Sequence, residues 1–122
     1  MLKTKIAVFV SGGGTNFEAL INAQENGKIP HGEIVLMVSS SKTAYALKRA
    51  ENHGIKSVVC SKKELGSQES FEEEILKNLE ENDIQLIVLA GFMSILSNEF
   101  TKKYENRIIN IHPSLIPSFC GE

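Results

Sequence analysis

The chain has 122 residues, 42% of them hydrophobic and 23% charged, with a formal net charge of −2. That length supports one domain with one core, burying roughly 65% of the unfolded chain's surface. The charge balance leaves no electrostatic footprint for nucleic acid or an acidic membrane, so a small-molecule partner is expected. Cys60 and Cys120 form no C-x-x-C pair, and no His and Cys residues share metal-ligand spacing. A reducing, cytoplasmic setting and no structural metal are the expectations.

Lys3 and Lys5 precede the apolar run Ile6 to Val10, which is too short for a signal peptide or a membrane span. It reads as a buried parallel strand feeding the turn Ser11-Gly12-Gly13-Gly14. A helix follows, with Thr15 and Glu18 in capping-box spacing, Phe17, Leu20 and Ile21 on one face, and Asn26-Gly27 as its stop. Glu33 to Val38 is the second strand, and Thr43 to Asn52 a helix ending before Gly54. Lys56 to Cys60 is the third strand. A helix with Ser67 near its start buries Phe71, Ile75, Leu76 and Leu79, and Ile84 to Ala90 follows as a fully buried strand. Gly91-Phe92-Met93 breaks it. A short helix over Ser97 to Tyr104 then leads to a fifth strand, Arg107 to His112. This alternation predicts an α/β fold with a doubly wound, mainly parallel sheet of about five strands and right-handed crossovers.

Ligands of such sheets bind beyond the carboxyl ends of the strands, where strand order reverses. Three unusual segments fall there: the glycine loop, Gly91 to Ser97, and Asn110 to Ser114. In the last, Asn110 and His112 share one strand face while Ile109 and Ile111 share the other. A neutral imidazole can exchange a proton near pH 7, and a carboxamide can donate to a carbonyl oxygen gaining charge. That pairing suits acyl or formyl transfer; the plainer reading is a strand end whose polar groups meet water.

The glycine loop carries Phe17 where a dinucleotide fingerprint needs a small residue, and Ser39 to Ser41 where it needs an acid. No Gly-Lys-Ser or Gly-Lys-Thr follows, which also argues against a nucleoside triphosphate loop. There remains a tight turn whose N–H groups near Gly14, Thr15 and Asn16 open a helix. It is either unliganded or suited to a phosphomonoester. Phe92, Met93, Ile95 and Leu96 form either local core or an apolar slot for a heteroaromatic ring. His31, His53 and the acidic run Glu72-Glu73-Glu74 read as solvated surface.

Together, Val10 to Asn16, Ala90 to Ser97 and Asn110 to Pro117 resemble the folate-dependent glycinamide ribonucleotide formyltransferases of purine biosynthesis, in order and over almost the whole chain. The pattern Asn-x-His-x-Ser-Leu-x-Pro is shared with the wider formyltransferase group. The resemblance implies formyl transfer from 10-formyltetrahydrofolate, as co-substrate, to the amine of glycinamide ribonucleotide, without a metal. By it, Asn110 and His112 are catalytic, and Gly14, Thr15 and Asn16 hold the substrate phosphate. Met93, Ser94, Ile95, Leu96 and Asn110 border the folate, while Gly91 and Pro113 shape the substrate channel.

Ser94 and Gln68 stand where members of the family carry Arg. The family also continues past Cys120-Gly121-Glu122 with a catalytic Asp. Residues 1–122 are therefore expected to be a single N-terminal formyltransferase domain lacking the C-terminal part of that fold. The competing readings are a formyltetrahydrofolate deformylase and a catalytically silent ligand-binding or assembly fragment. Partners are expected to be the two small molecules, with no nucleic acid or membrane. A homodimer is compatible with the chain but argued by no motif.

Overall fold

The computed structural model describes residues 3–11, 15–40, 45–90, 92 and 96–111, with the backbone alone at residue 15. Continuous apolar runs in this chain become strands covered on both faces. Val8, Phe9 and Val10 of β1 (Thr4–Val10) have no exposed surface, and β1 lies at the centre of the sheet. The other strands are β2 (Gly32–Ser39), β3 (Lys56–Val59), β4 (Leu86–Ala90) and β5 (Ile108–Ile111). Every pairing is parallel and the order is β3-β2-β1-β4-β5. This is the doubly wound parallel sheet expected from the alternation of strands and helices.

Among the described residues, five helices connect them: α1 (Thr15–Glu25), α2 (Ala46–Asn52), α3 (Lys62–Leu65), α4 (Gln68–Glu81) and α5 (Asn98–Lys103). Phe17 and Ile21 of α1 and Ala46 and Ala50 of α2 pack on Val8, Val10 and Val88. Phe71, Ile75 and Leu79 of α4, with Phe100 of α5, pack on Phe9, Leu36 and Ile87 of the opposite face. The spacing 71, 75, 79 is one apolar stripe of a 3.6-residue helix. Burying each of those side chains stabilises the fold by about 2 kcal/mol.

Strand boundaries differ from the sequence expectation where a backbone group serves a helix end instead. The N–H of Ile84 donates to Leu79 O at 2.9 Å and that of Arg107 to Tyr104 O at 2.8 Å. Each closes the preceding helix, so β4 begins at Leu86 and β5 at Ile108. The left-handed residues that make these reversals possible are Asp83 (φ 54°) and Asn106 (φ 66°). The stop expected at Gly27 is present, with φ 77°. Helix α3 is an addition, opened by Ser61, whose side chain accepts from Glu64 N, and closed by left-handed Gly66.

Glu18 does not behave as half of a capping box. Its Oε2 lies 2.9 Å from His53 Nε2, and its Oε1 3.4 Å from the Arg49 guanidinium. His53, expected to be bare surface, reaches Glu25 Oε2 as well, at 3.0 Å from Nδ1. Glu18 and Glu25 lie two turns apart on one face of α1, so the imidazole ties that helix along its length to the end of α2. Hydrogen bonds to Glu18 and then Glu25 outweigh partial burial and raise the imidazole's pKa above its usual value. His31 is exposed, as expected.

Candidate active site

The sheet grows from β1 through β2 to β3 on one side, then returns to the other side with β4 and β5. Its switch point therefore lies between the carboxyl ends of β1 and β4. The register sets Phe9 beside Leu89, and Leu89 beside Asn110. Strand ends bearing the three candidate segments are thus adjacent, β1 and β5 standing two strand spacings, about 10 Å, apart.

Helix α1 opens directly after β1, and its first N–H groups lack intrahelical partners. The positive end of its dipole is accordingly at the switch point. Asn16, in its first turn, is a buried polar residue with 9% exposure. The neighbouring strand ends are tied together: Ser40 N donates to Val10 O at 3.0 Å, and Ser40 Oγ to Ser11 Oγ at 2.8 Å.

On the other side of the switch point, Phe92 packs inward. Its ring meets Phe9 edge-on at 5.3 Å and stacks on Phe71 at 6.5 Å with 5° between planes. Leu96 also packs, partly buried, against that core. Asn110 is exposed on β5, and its strand parity matches that of Ile108, which faces the α4 and α5 layer. Ile111 packs on the α1 and α2 layer. Gly14, Gly91, Met93, Ser94, Ile95, His112 and Pro113 lie outside the described residues, as does the side chain of Thr15.

Sequence reasoning assigned Glu72 to a solvated face, and the fold corrects this. The Glu72 carboxylate accepts from Ser97 N and Ser97 Oγ, both at 2.6 Å, and from Gln68 Nε2 at 2.6 Å. Burial alone would push its pKa up; the bonds from Ser97 and Gln68 outweigh it and hold the group below the usual carboxylate value. Periodicity could not reveal this, because Ser97 is 25 residues away. Among the described residues, no group of three His, Cys, Asp or Glu forms a metal site, and no helix is long and apolar enough to cross a membrane.

Strand order, switch point and exposed polar strand end define a doubly wound α/β protein whose candidate site lies along the carboxyl edge of its sheet. The chain belongs to the formyl transferase family, whose pattern it matches over residues 4–122. It is 49% identical over 119 residues to the trifunctional purine biosynthetic protein adenosine-3 of Gallus gallus, covering 98% of this chain and 12% of that protein. To the phosphoribosylglycinamide formyltransferase of Haemophilus influenzae it is 39% identical over 117 residues, covering 96% of this chain and 55% of that one. The crystal structure of phosphoribosylglycinamide formyltransferase from Brucella melitensis superposes with a TM-score of 0.86 at 42% identity, over 98% of this chain and 62% of that one. The chain thus spans a little over half the length of the single-function relatives and a small part of the trifunctional one.

Proposed function

We propose that the protein transfers a formyl group from 10-formyltetrahydrofolate to the amine of glycinamide ribonucleotide in purine biosynthesis. The observation that carries this reading is the identity, over almost the whole chain, with a protein named for that reaction. The geometry supports it independently. An opening helix suited to a phosphate lies two strands from an exposed carboxamide, which matches the length of a sugar phosphate bearing a short amide arm.

In this reading, the N–H groups at Gly14, Thr15 and Asn16 hold the phosphate. The backbone of residues 93–96 borders the folate ring, with Gly91 and Pro113 lining the way to it. The substrate amine forms a bond to the formyl carbon, and the Asn110 carboxamide donates to the formyl oxygen as it gains charge. The bond from that carbon to the folate nitrogen then breaks. His112 moves the proton lost by the amine toward the departing nitrogen, and no covalent enzyme intermediate forms.

Gly14→Asp tests the assignment, since it sets a carboxylate where the phosphate is held. The KM for the ribonucleotide should rise at least about tenfold, because juxtaposed like charges cost several kcal/mol. Unchanged activity would instead favour hydrolysis of the formyl folate by water, which needs no phosphate site.

A further inference from the structure

Opposite charges meet where α1 and α2 pack. Glu18 stands in the first turn of α1, three residues and about 5 Å of helix rise from Thr15, and helical side chains tilt toward the N-terminus. A carboxylate there repels any other anion drawn to the positive end of the helix. Two cations close on it from α2 and its C-cap: Arg49 Nη1 lies 3.4 Å from Glu18 Oε1, and His53 Nε2 lies 2.9 Å from Glu18 Oε2. Both cations are held in place. The Arg49 guanidinium lies over the Tyr45 ring at 4.9 Å, and His53 Nδ1 reaches Glu25 at 3.0 Å. Phe17, Ile21, Ala46 and Ala50 join the two helices in one buried cluster beneath these pairs.

We propose that Arg49 and His53 are positioning residues for the ribonucleotide: by neutralising Glu18 they keep the opening of α1 favourable to its phosphate, so that affinity rises as His53 gains a proton. The proposal rests on the reading of that helix opening as the phosphate site. With the imidazole protonated, two cations face the carboxylates of Glu18 and Glu25; once it is neutral, only Arg49 remains against them. The bonds to Glu18 and Glu25 favour the protonated form in the folded chain. Lys48 and Glu51 of α2 pair with each other at 3.6 Å. Glu33 of β2 and Lys56 of β3, exposed on the strands that α2 packs against, do not act on the imidazole. By linkage, the bound phosphate must hold the His53 proton more tightly by the same factor.

The test is calorimetric binding of glycinamide ribonucleotide to the unsubstituted protein, His53→Gln, Arg49→Gln and the double variant Glu18→Gln/His53→Gln, at pH 6.5 and pH 9. A unit charge about 10 Å from a phosphate dianion changes its binding by about threefold in dilute buffer and hardly at all in about 1 M salt. His53→Gln should therefore weaken binding by about threefold at pH 6.5 and leave it unchanged at pH 9, relative to the unsubstituted protein at each pH. Arg49→Gln should weaken it by about threefold at both. The double variant, which removes the carboxylate as well, should bind at least as tightly as the unsubstituted protein. If the pair were only a clamp between helices, the double variant would bind no better than His53→Gln, and salt would not erase the difference. Either of those results, or an equal effect of His53→Gln at both pH values, would overturn the proposal and leave the proposed function standing. If the unsubstituted protein does not bind the ribonucleotide, the phosphate reading fails and this coupling with it.

Discussion

Phe71 joins the core to the candidate site, and its removal is the sharpest test of that connection. Its side chain has no exposed surface, packs with Ile75, Leu79 and Phe100, and supports the Phe92 ring at 6.5 Å. Truncating a buried Phe to Ala costs about 3–5 kcal/mol, the lost transfer energy adding to an unfilled cavity. A domain of this size has a total stability of about 6–18 kcal/mol. Its unfolding entropy near the midpoint is about 0.26 kcal/mol/K, so a 4 kcal/mol loss lowers Tm by about 16 °C. Urea unfolding of Phe71→Ala, Phe92→Ala and the double variant closes a cycle. The stacked pair should contribute a coupling of about 0.5–1.5 kcal/mol. A cost below about 1 kcal/mol for Phe71→Ala, or no coupling to Phe92, would refute the packing argument.

The His53 bridge makes stability depend on pH. Its folded pKa lies above the ordinary 6.5, so its contribution is fully present below that value and lost as pH rises through the folded pKa. Because Glu25 is half exposed, the contribution should be no more than about 1 kcal/mol. His53→Gln should therefore be destabilising at pH 5.5 and nearly neutral at pH 9 in denaturant titrations, and an equal cost at both would contradict the bridge. Burial pushes the Cys60 thiol up to about 12, so it should resist alkylation at pH 8 until the protein is unfolded, as mass spectrometry would show. Ser67 caps α4 by accepting from Ser70 N at 3.1 Å, and Ser67→Ala should cost about 1 kcal/mol in thermal unfolding. His112→Ala should lower the transfer rate by about 10²–10⁴ in steady-state assays, and a loss under about threefold would remove His112 from the mechanism.

The sheet was legible because its central strands are uninterrupted apolar runs, and α4 because residues 71, 75 and 79 repeat at helical spacing. Ser67, Ser97 and Gly27 marked helix ends by local chemistry alone. Helix α3 escaped notice because it buries nothing; its one sign was the Ser61 to Glu64 capping spacing. Glu18, His53 and Glu72 were misjudged for a shared reason. Each finds a partner on or at the end of another helix, 25 to 35 residues away, and no pattern along the chain encodes such a meeting. At the candidate site, Asn110 stood out because a polar residue interrupts an apolar strand, whereas Glu72, whose carboxylate bonds Ser97, looks in sequence like any surface acid.

The most direct test of the proposed function follows consumption of 10-formyltetrahydrofolate with and without glycinamide ribonucleotide, together with formation of the formylated ribonucleotide. Formyl transfer predicts that the donor is consumed only when the ribonucleotide is present, one formylated product appearing for each donor used. Donor consumption at the same rate without the ribonucleotide, releasing formate, would contradict it and identify a hydrolase.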